Sequence, residues 1–297
     1  MKVGIVGLGF VGRAVAKSYA EPNQVMWYDP KVENSVGSLG YLLGCDGIFV
    51  CVPTPSNEDG SCDDSILRAT LNKLASLGYN GIVIVKSTAP WTAIEESCLS
   101  LRVVFCPEFL RAATANEDYL AASYCVIGGS DSDVQAAKHV IKASSLVCKF
   151  VRTTLREAVL VKYFTNAFLA TKVSMMNEFA MLAQSVGAPW ETIRECLSED
   201  QRIGQDHTQV PGPDGKRGWG GMCFPKDTRA LLNLAREHGV NLSVVEAAVA
   251  TNNKIRKPPC STCNGEGEVR TGSWGARIKC PSCKNPAYVL DYVPDVK

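Results

Sequence analysis

Short apolar runs alternate with helical patterns through the first half of the chain. The runs are Lys2–Val6, Val25–Tyr28, Gly47–Val52, Ile82–Lys86, Val103–Cys106 and Tyr124–Ile127; patterned stretches such as Gly12–Ala20, Asp63–Leu77 and Ser132–Ala143 lie between them. Strands that alternate with helices predict an α/β fold with a parallel sheet and right-handed crossovers. The character changes after Val151. From Leu155 to about Val186 there is neither Gly nor Pro, and Leu155, Val159, Lys162, Asn166, Leu169 and Val173 fall near one stripe of a helix. Such a helix would be roughly 45–50 Å long, more than one small domain needs. A helix from Trp190, a Gly-rich loop from Gly204 to Gly221, and helices from Pro225 and Ser243 follow, and Pro258-Pro259 closes the region. The pattern divides the chain into a sheet domain over 1–151, a helical domain over 152–257 and a small Cys-rich module with its tail over 258–297.

Composition narrows the possibilities. A chain of 297 residues, 46% hydrophobic, can build real cores in one large or two ordinary domains. With 31 basic and 30 acidic residues the net charge is +1, which gives no long-range attraction to nucleic acid or to a membrane surface. No run approaches the ~18 apolar residues of a spanning helix. Met1–Val6 lacks the layout of a signal peptide, so the expected location is the cytoplasm. Nine of the thirteen cysteines are scattered singly, and in a reducing compartment most of these are expected to be small buried hydrophobes.

Gly7-Leu8-Gly9-Phe10-Val11-Gly12 follows an apolar strand and opens a helix. In a dinucleotide site the first glycine permits a tight turn, the second lets pyrophosphate approach the backbone, and the third lets helix and strand pack closely. The phosphate would sit on the helix N-terminus. Asp29, at the end of the next strand, stands where a carboxylate can accept the ribose 2′-hydroxyl and repel a 2′-phosphate, which favours NAD over NADP. Glycines serving packing alone are the alternative.

The most specific stretch is Gly218-Trp219-Gly220-Gly221-Met222-Cys223-Phe224-Pro225-Lys226-Asp227. Pro225 suits the first position of a helix, which places Cys223 just before a helix N-terminus, where the dipole and Lys226 both favour thiolate. Asp227 opposes them but can position a water or move a proton; a buried cysteine beside an ordinary cap is the alternative. Lys162 and Asn166, four apart, share a helical face and can point at one developing oxyanion, unless that face is merely solvated. Near the C-terminus, Cys260-x-x-Cys263 and Cys280-x-x-Cys283 have the spacing of a four-thiolate zinc site, closed and therefore structural, against redox dithiols or free thiols. The module resembles the zinc repeats of J-domain co-chaperones. Arg270, Arg277, Lys279 and Lys284 give it a mildly basic face, read as solvated and not as a nucleic-acid surface.

Together with Cys51-Val52-Pro53-Thr54-Pro55, Lys86-Ser87-Thr88-Ala89-Pro90, Pro107-Glu108-Phe109-Leu110 and the segment Glu157 through Asn177, the Cys223 stretch resembles the UDP-glucose/GDP-mannose 6-dehydrogenase family, in the family's order, over about residues 1–257. The resemblance implies a Rossmann-like domain, a long-helix dimerisation domain and a nucleotide-sugar substrate. It implies that UDP-glucose, two NAD and water yield UDP-glucuronate and two NADH through a thiohemiacetal and a thioester on Cys223. Glu108 would activate water, helped by Thr88 and Asp227; Lys162 and Asn166 would hold the oxyanion. The implied cofactor contacts are Gly7, Gly9, Phe10, Val11, Gly12, Asp29, Lys31, Thr54 and Thr88. The implied substrate contacts are Glu108, Phe109, Leu110, Lys162, Asn166, Gly220 and Arg202, the last reaching across a homodimer. Two positions depart from the family pattern: Ala112 replaces a second acid and Cys106 replaces an asparagine. The usual second Rossmann-like domain is not expected in the roughly 40 residues after Lys257, where the zinc module would cap the substrate domain. A two-electron β-hydroxyacid-type dehydrogenase and a non-catalytic NAD- and zinc-binding scaffold are the competing functions.

Overall fold

The computed structural model describes residues 1–19, 25–256, 268–271 and 276–279. The chain divides into two compact units, Met1–Thr165 with Arg229–Asn233, and Asn166–Thr228 with Leu234–Lys297.

The first unit is built on seven strands: β1 Val3–Val6, β2 Val25–Tyr28, β3 Gly47–Val50, β4 Ile82–Val85, β5 Arg102–Phe105, β6 Tyr124–Gly128 and β7 Lys149–Thr153. Their order across the sheet is β2-β1-β3-β4-β5-β6-β7. All four residues of β1, β3 and β4 are buried, as expected of central strands covered on both faces, and this is why they read as continuous apolar runs. The covering helices are α1 Phe10–Lys17, α2 Ser65–Ser76, α3 Trp91–Glu95, α4 Ala115–Leu120 and α5 Asp131–Lys142. Ile5, Phe49, Ile84, Val104 and Ile127 from the sheet meet Val15, Val134 and Ile141 from the helices in one core.

Two features correct the expectation of a wholly parallel six-stranded sheet. β6 runs antiparallel to β5, paired at Phe105 and Gly128, while the other neighbours are parallel. The segment between β5 and β6 carries only a 3-10 turn and the six-residue α4, which packs on α1, so the chain re-enters the sheet from the end it left. The seventh strand, β7, is an edge strand with no buried residue, and it offers no apolar run to read.

The long helix, α6, runs over Leu155–Ser185, 31 residues, about 45 Å at 1.5 Å each. The second unit holds its C-terminal part, then α7 Trp190–Glu199, α8 Phe224–Glu237 and α9 Ser243–Ile255. Small side chains (Ala167, Ala170, Ser174, Ala180 and Ala183) make up most of the buried face of α6 in this unit, while Phe168, Met175, Phe179 and Leu182 are exposed. Beyond α9, β8 Glu268–Thr271 and β9 Ala276–Lys279 form an antiparallel hairpin with Glu268 opposite Lys279. Among the described residues no helix is long and apolar enough to cross a membrane.

Candidate active site

In the first unit, the predicted cofactor residues gather at the carboxyl ends of the strands. β1 leads to Gly7–Gly9, β2 to Asp29, β3 to Thr54, β4 to Thr88 and β5 to Glu108. β2 and β3 lie on opposite sides of β1, the switch point where open α/β sheets bind ligands. The three glycines have separable reasons. Gly7 has φ +89°, and a Cβ there would stand 2.5 Å from the Cys51 carbonyl oxygen. A Cβ on Gly12 would stand 2.1 Å from the Gly7 carbonyl oxygen. Around Gly9, at the uncapped head of α1, a Cβ would meet nothing within 4 Å. That open space beside free helix-end N–H groups fits a pyrophosphate.

Asp29 ties this turn to β2. Its Oδ2 accepts the Leu8 N–H at 2.8 Å and its Oδ1 accepts the Lys31 N–H at 2.9 Å, while the Gly7 N–H donates to the Tyr28 carbonyl at 3.0 Å. Lys31 thus enters through its backbone, with an exposed side chain. Thr54 and Thr88 are both buried, and the Thr54 hydroxyl donates to the Thr88 carbonyl at 2.7 Å, joining the loops after β3 and β4.

A pair of expected outcomes separates packing from binding at this turn. Gly12→Ala forces backbone against backbone and is expected to cost about 1–3 kcal/mol of stability, visible as a lower Tm. Gly9→Ala should leave Tm unchanged yet weaken NAD about tenfold by calorimetric titration, because the methyl takes the approach of the pyrophosphate.

Lys162 and Glu108 form a charged pair within the first unit. Both are buried; Lys162 Nζ donates to the Glu108 carbonyl at 2.5 Å and lies 3.2 Å from Oε1, while Oε2 accepts the Leu110 N–H at 2.7 Å. The same ammonium lies 5.3 Å from the Phe109 ring centroid. Phe109 packs 5.6 Å from Tyr124, and half-buried Leu110 lies against the core.

In the second unit, Cys223 is the half-buried N-cap of α8, with Pro225 in the first turn, as its sequence setting predicts. Asp227 is 1% exposed. Its Oδ2 accepts the Asn166 amide at 2.6 Å, and its Oδ1 is paired with the Lys226 ammonium. Lys226, expected to support a thiolate, is therefore engaged by the neighbouring carboxylate. Lys162 and Asn166 are both buried, which removes the solvated-face alternative, but each serves a different acid.

The turn before Cys223 is held by side chains that pattern reading missed. The Gly218 N–H donates to Asn177 Oδ1 at 3.1 Å, and Gly218 has φ +71°. Asn252 clasps the Trp219 backbone from both sides, accepting its N–H at 2.7 Å and donating to its carbonyl at 3.0 Å. The Trp219 indole donates to Ser174 at 2.9 Å. At Gly220, proposed as a substrate contact, the Arg256 guanidinium fills the space where a side chain would be. Lys172 was also missed: its ammonium donates to the carbonyls of Ile203 at 2.7 Å and Asp206 at 2.5 Å, fixing the segment after Arg202. Arg202 itself is exposed and paired with Asp200. Polar residues inside an otherwise apolar helix were the available signal for Lys172, Ser174 and Asn177.

Of the nine single cysteines, three are buried (Cys45, Cys106 and Cys125), four intermediate and two exposed, which corrects the expectation that most are core residues. Cys260, Cys263, Cys280 and Cys283 lie outside the described residues.

A glycine turn at the switch point of a parallel-dominated sheet, tied to an acid at the end of β2, defines a dinucleotide-binding α/β protein. Two domain descriptions match: the UDP-glucose/GDP-mannose dehydrogenase NAD binding domain over residues 40–145 and the central domain of the same family over residues 156–254. The chain belongs to the UDP-glucose/GDP-mannose dehydrogenase family. It is 31% identical to a UDP-glucose 6-dehydrogenase of Pseudomonas aeruginosa over 326 residues, covering 93% of this chain and 70% of that protein. It is 33% identical to the UDP-glucose 6-dehydrogenase of Rickettsia felis over 221 residues, 71% of this chain and 48% of that protein. The chain thus spans about half the length of that rickettsial relative. A UDP-glucose dehydrogenase structure from Pyrobaculum islandicum superposes with TM-score 0.73 at 26% identity, covering 85% of this chain and 68% of that one. A 3-hydroxyisobutyrate dehydrogenase of Mycobacterium tuberculosis shares the fold, with TM-score 0.68 at 16% identity over 85% of this chain and 92% of that one.

Proposed function

We propose that this chain oxidises the C6 alcohol of a nucleoside-diphosphate sugar, UDP-glucose in first place, to the carboxylate. The observation that carries the reading is Cys223 at the head of α8, in a glycine turn clasped by Asn177 and Asn252. NAD, when bound, accepts the hydride in each of the two oxidations. Cys223 adds through sulfur to the C6 aldehyde, giving a thiohemiacetal, and the second oxidation leaves a thioester. Asn166 and Lys162 supply the donors for oxygen charge as it develops. Glu108, with Thr88 and Asp227, takes a proton from the water that attacks the thioester, and Cys223 departs as thiolate. The helix dipole at the N-cap favours that thiolate.

Counting NADH per molecule of sugar nucleotide tests this. Two per sugar with uronate formed is the expected result. One would replace it with a two-electron dehydrogenase, and none would leave a binding scaffold.

The working unit in this reading is a cytoplasmic homodimer. Phe168, Met175, Phe179, Leu182 and Val186 are all exposed and recur at intervals of seven, four, three and four, one apolar stripe along α6 suited to a second copy. Arg202, 88% exposed, is paired with Asp200 and would leave that pairing to reach the partner's substrate.

The reading also assigns a structural Zn2+ to Cys260, Cys263, Cys280 and Cys283. Support comes from the all-thiolate donor set and from the β8–β9 hairpin, which lies between the two pairs and leads directly into Cys280. Elemental analysis is expected to find one zinc per chain, and none in Cys260→Ser/Cys283→Ser. Unchanged sugar-nucleotide affinity in that variant would show that the module plays no part in substrate binding.

A further inference from the structure

The first unit contains a cluster of thiols that the proposed reaction does not use. Cys106 follows β5 directly and Cys125 lies in β6, the neighbouring antiparallel strand. Their sulfur atoms are 3.4 Å apart and both side chains are buried. The Lys86 ammonium, at the end of β4 and itself buried, lies 3.4 Å from Cys106 Sγ. A third thiol, half-buried Cys148, stands just before the edge strand β7, beside β6. Cys106 and Cys125 are thus a close thiol pair with a cation against one member.

We propose that Cys106 and Cys125 are an oxidation site at which a peroxide forms a disulfide. A disulfide needs about 2.05 Å between sulfurs, so the pair must close by roughly 1.4 Å, within the reach of side-chain rotation. The two thiols are chemically unequal. The contact with Cys125 and, against the effect of burial, the Lys86 charge hold the Cys106 thiol below the usual range, whereas the same contact and burial raise the Cys125 thiol. Cys106 is the nucleophile and Cys125 the resolving thiol. The Cys106 sulfur attacks one peroxide oxygen, the O–O bond breaks, and a sulfenic acid and one water form. Cys125 sulfur then attacks the sulfenic sulfur; the S–S bond forms, and hydroxide leaves with the Cys125 proton as a second water. Two thiols lose two electrons and two protons, and one peroxide becomes two waters.

The consequence for catalysis rests on the reading of Glu108 given above. Only Pro107 separates Cys106 from Glu108, so whatever backbone shift accompanies closure beyond side-chain rotation is carried to the carboxylate that meets the Lys162 ammonium. The formation of the bond does not depend on that reading.

The test uses the full chain carrying Cys223→Ala, so that oxidation of the proposed nucleophile cannot contribute. After hydrogen peroxide treatment, remaining thiols are blocked under denaturing conditions and the digest is analysed by mass spectrometry without reduction. The expected product is a Cys106–Cys125 linked peptide pair, two hydrogens lighter than the free peptides, and separated by dithiothreitol. Cys125→Ala should abolish it. In chain with Cys223 intact, Cys125→Ala should retain basal uronate formation and lose only the part of the dithiothreitol-reversible peroxide inactivation that accompanies the Cys106–Cys125 link. Recovery of Cys106 and Cys125 as separately blocked thiols, their over-oxidation without linkage, or a link of Cys125 to Cys148 alone would overturn the proposal.

Discussion

Cys223→Ser is expected to lower steady-state uronate formation by about 10³-fold or more, since losing a covalent nucleophile removes the route and not merely one contact. Serine keeps the polar atom at the head of α8, but its hydroxyl does not ionise near neutral pH, so the acyl intermediate is not made by the same path. The fold should be untouched: Cys223 is half-buried and in no disulfide, and the clasp on the preceding turn uses other residues. NAD affinity and Tm measured beside the rate would establish this. Wild-type uronate production by the variant would remove the cysteine from the mechanism.

The second large effect is at Lys162. Lys162→Met leaves the Glu108 carboxylate buried without its ammonium, and breaking a buried pair from one side costs about 3–5 kcal/mol. A marked fall in Tm is expected, together with a loss of about 10²–10³-fold in rate through the missing oxyanion donor. Adding Glu108→Gln removes the stranded charge. The double variant should regain most of the lost stability while its activity stays no higher than that of Lys162→Met, because the base is now gone. A double variant no more stable than Lys162→Met would show that the pair is not what holds this region together.

Much of the first unit was legible in the sequence because central parallel strands are buried on both faces, and Val3–Val6 or Ile82–Val85 can then be little other than apolar. β7, Lys149–Thr153, escaped for the opposite reason: at the edge of the sheet its positions need not be apolar. α4, six residues long, is too short to show a period. In α6 the helix was plain, but its inward face was not. Size misleads there: Phe168 and Leu182 point outward, while Ala167, Ala170 and Ala180 allow close packing within. At the site, glycine spacing carried its own meaning, and the roles expected of Gly7, Gly9 and Gly12 correspond to three different surroundings. Partnerships such as Glu108 with Lys162, or Asn166 with Asp227, join residues 54 and 61 positions apart, and no local pattern encodes such a pairing.

The clasp formed by Asn177 and Asn252 also sets a timescale. Amide hydrogens in loops generally exchange with water quickly, because nothing must open to expose them. Those of Gly218 and Trp219 are instead bound to side chains rooted in α6 and α9, and can be released only when those helices shift or fray. In deuterium these two positions should fill in at the slow pace of the helices, giving the segment ahead of Cys223 a persistence that glycine-rich chain does not have by itself.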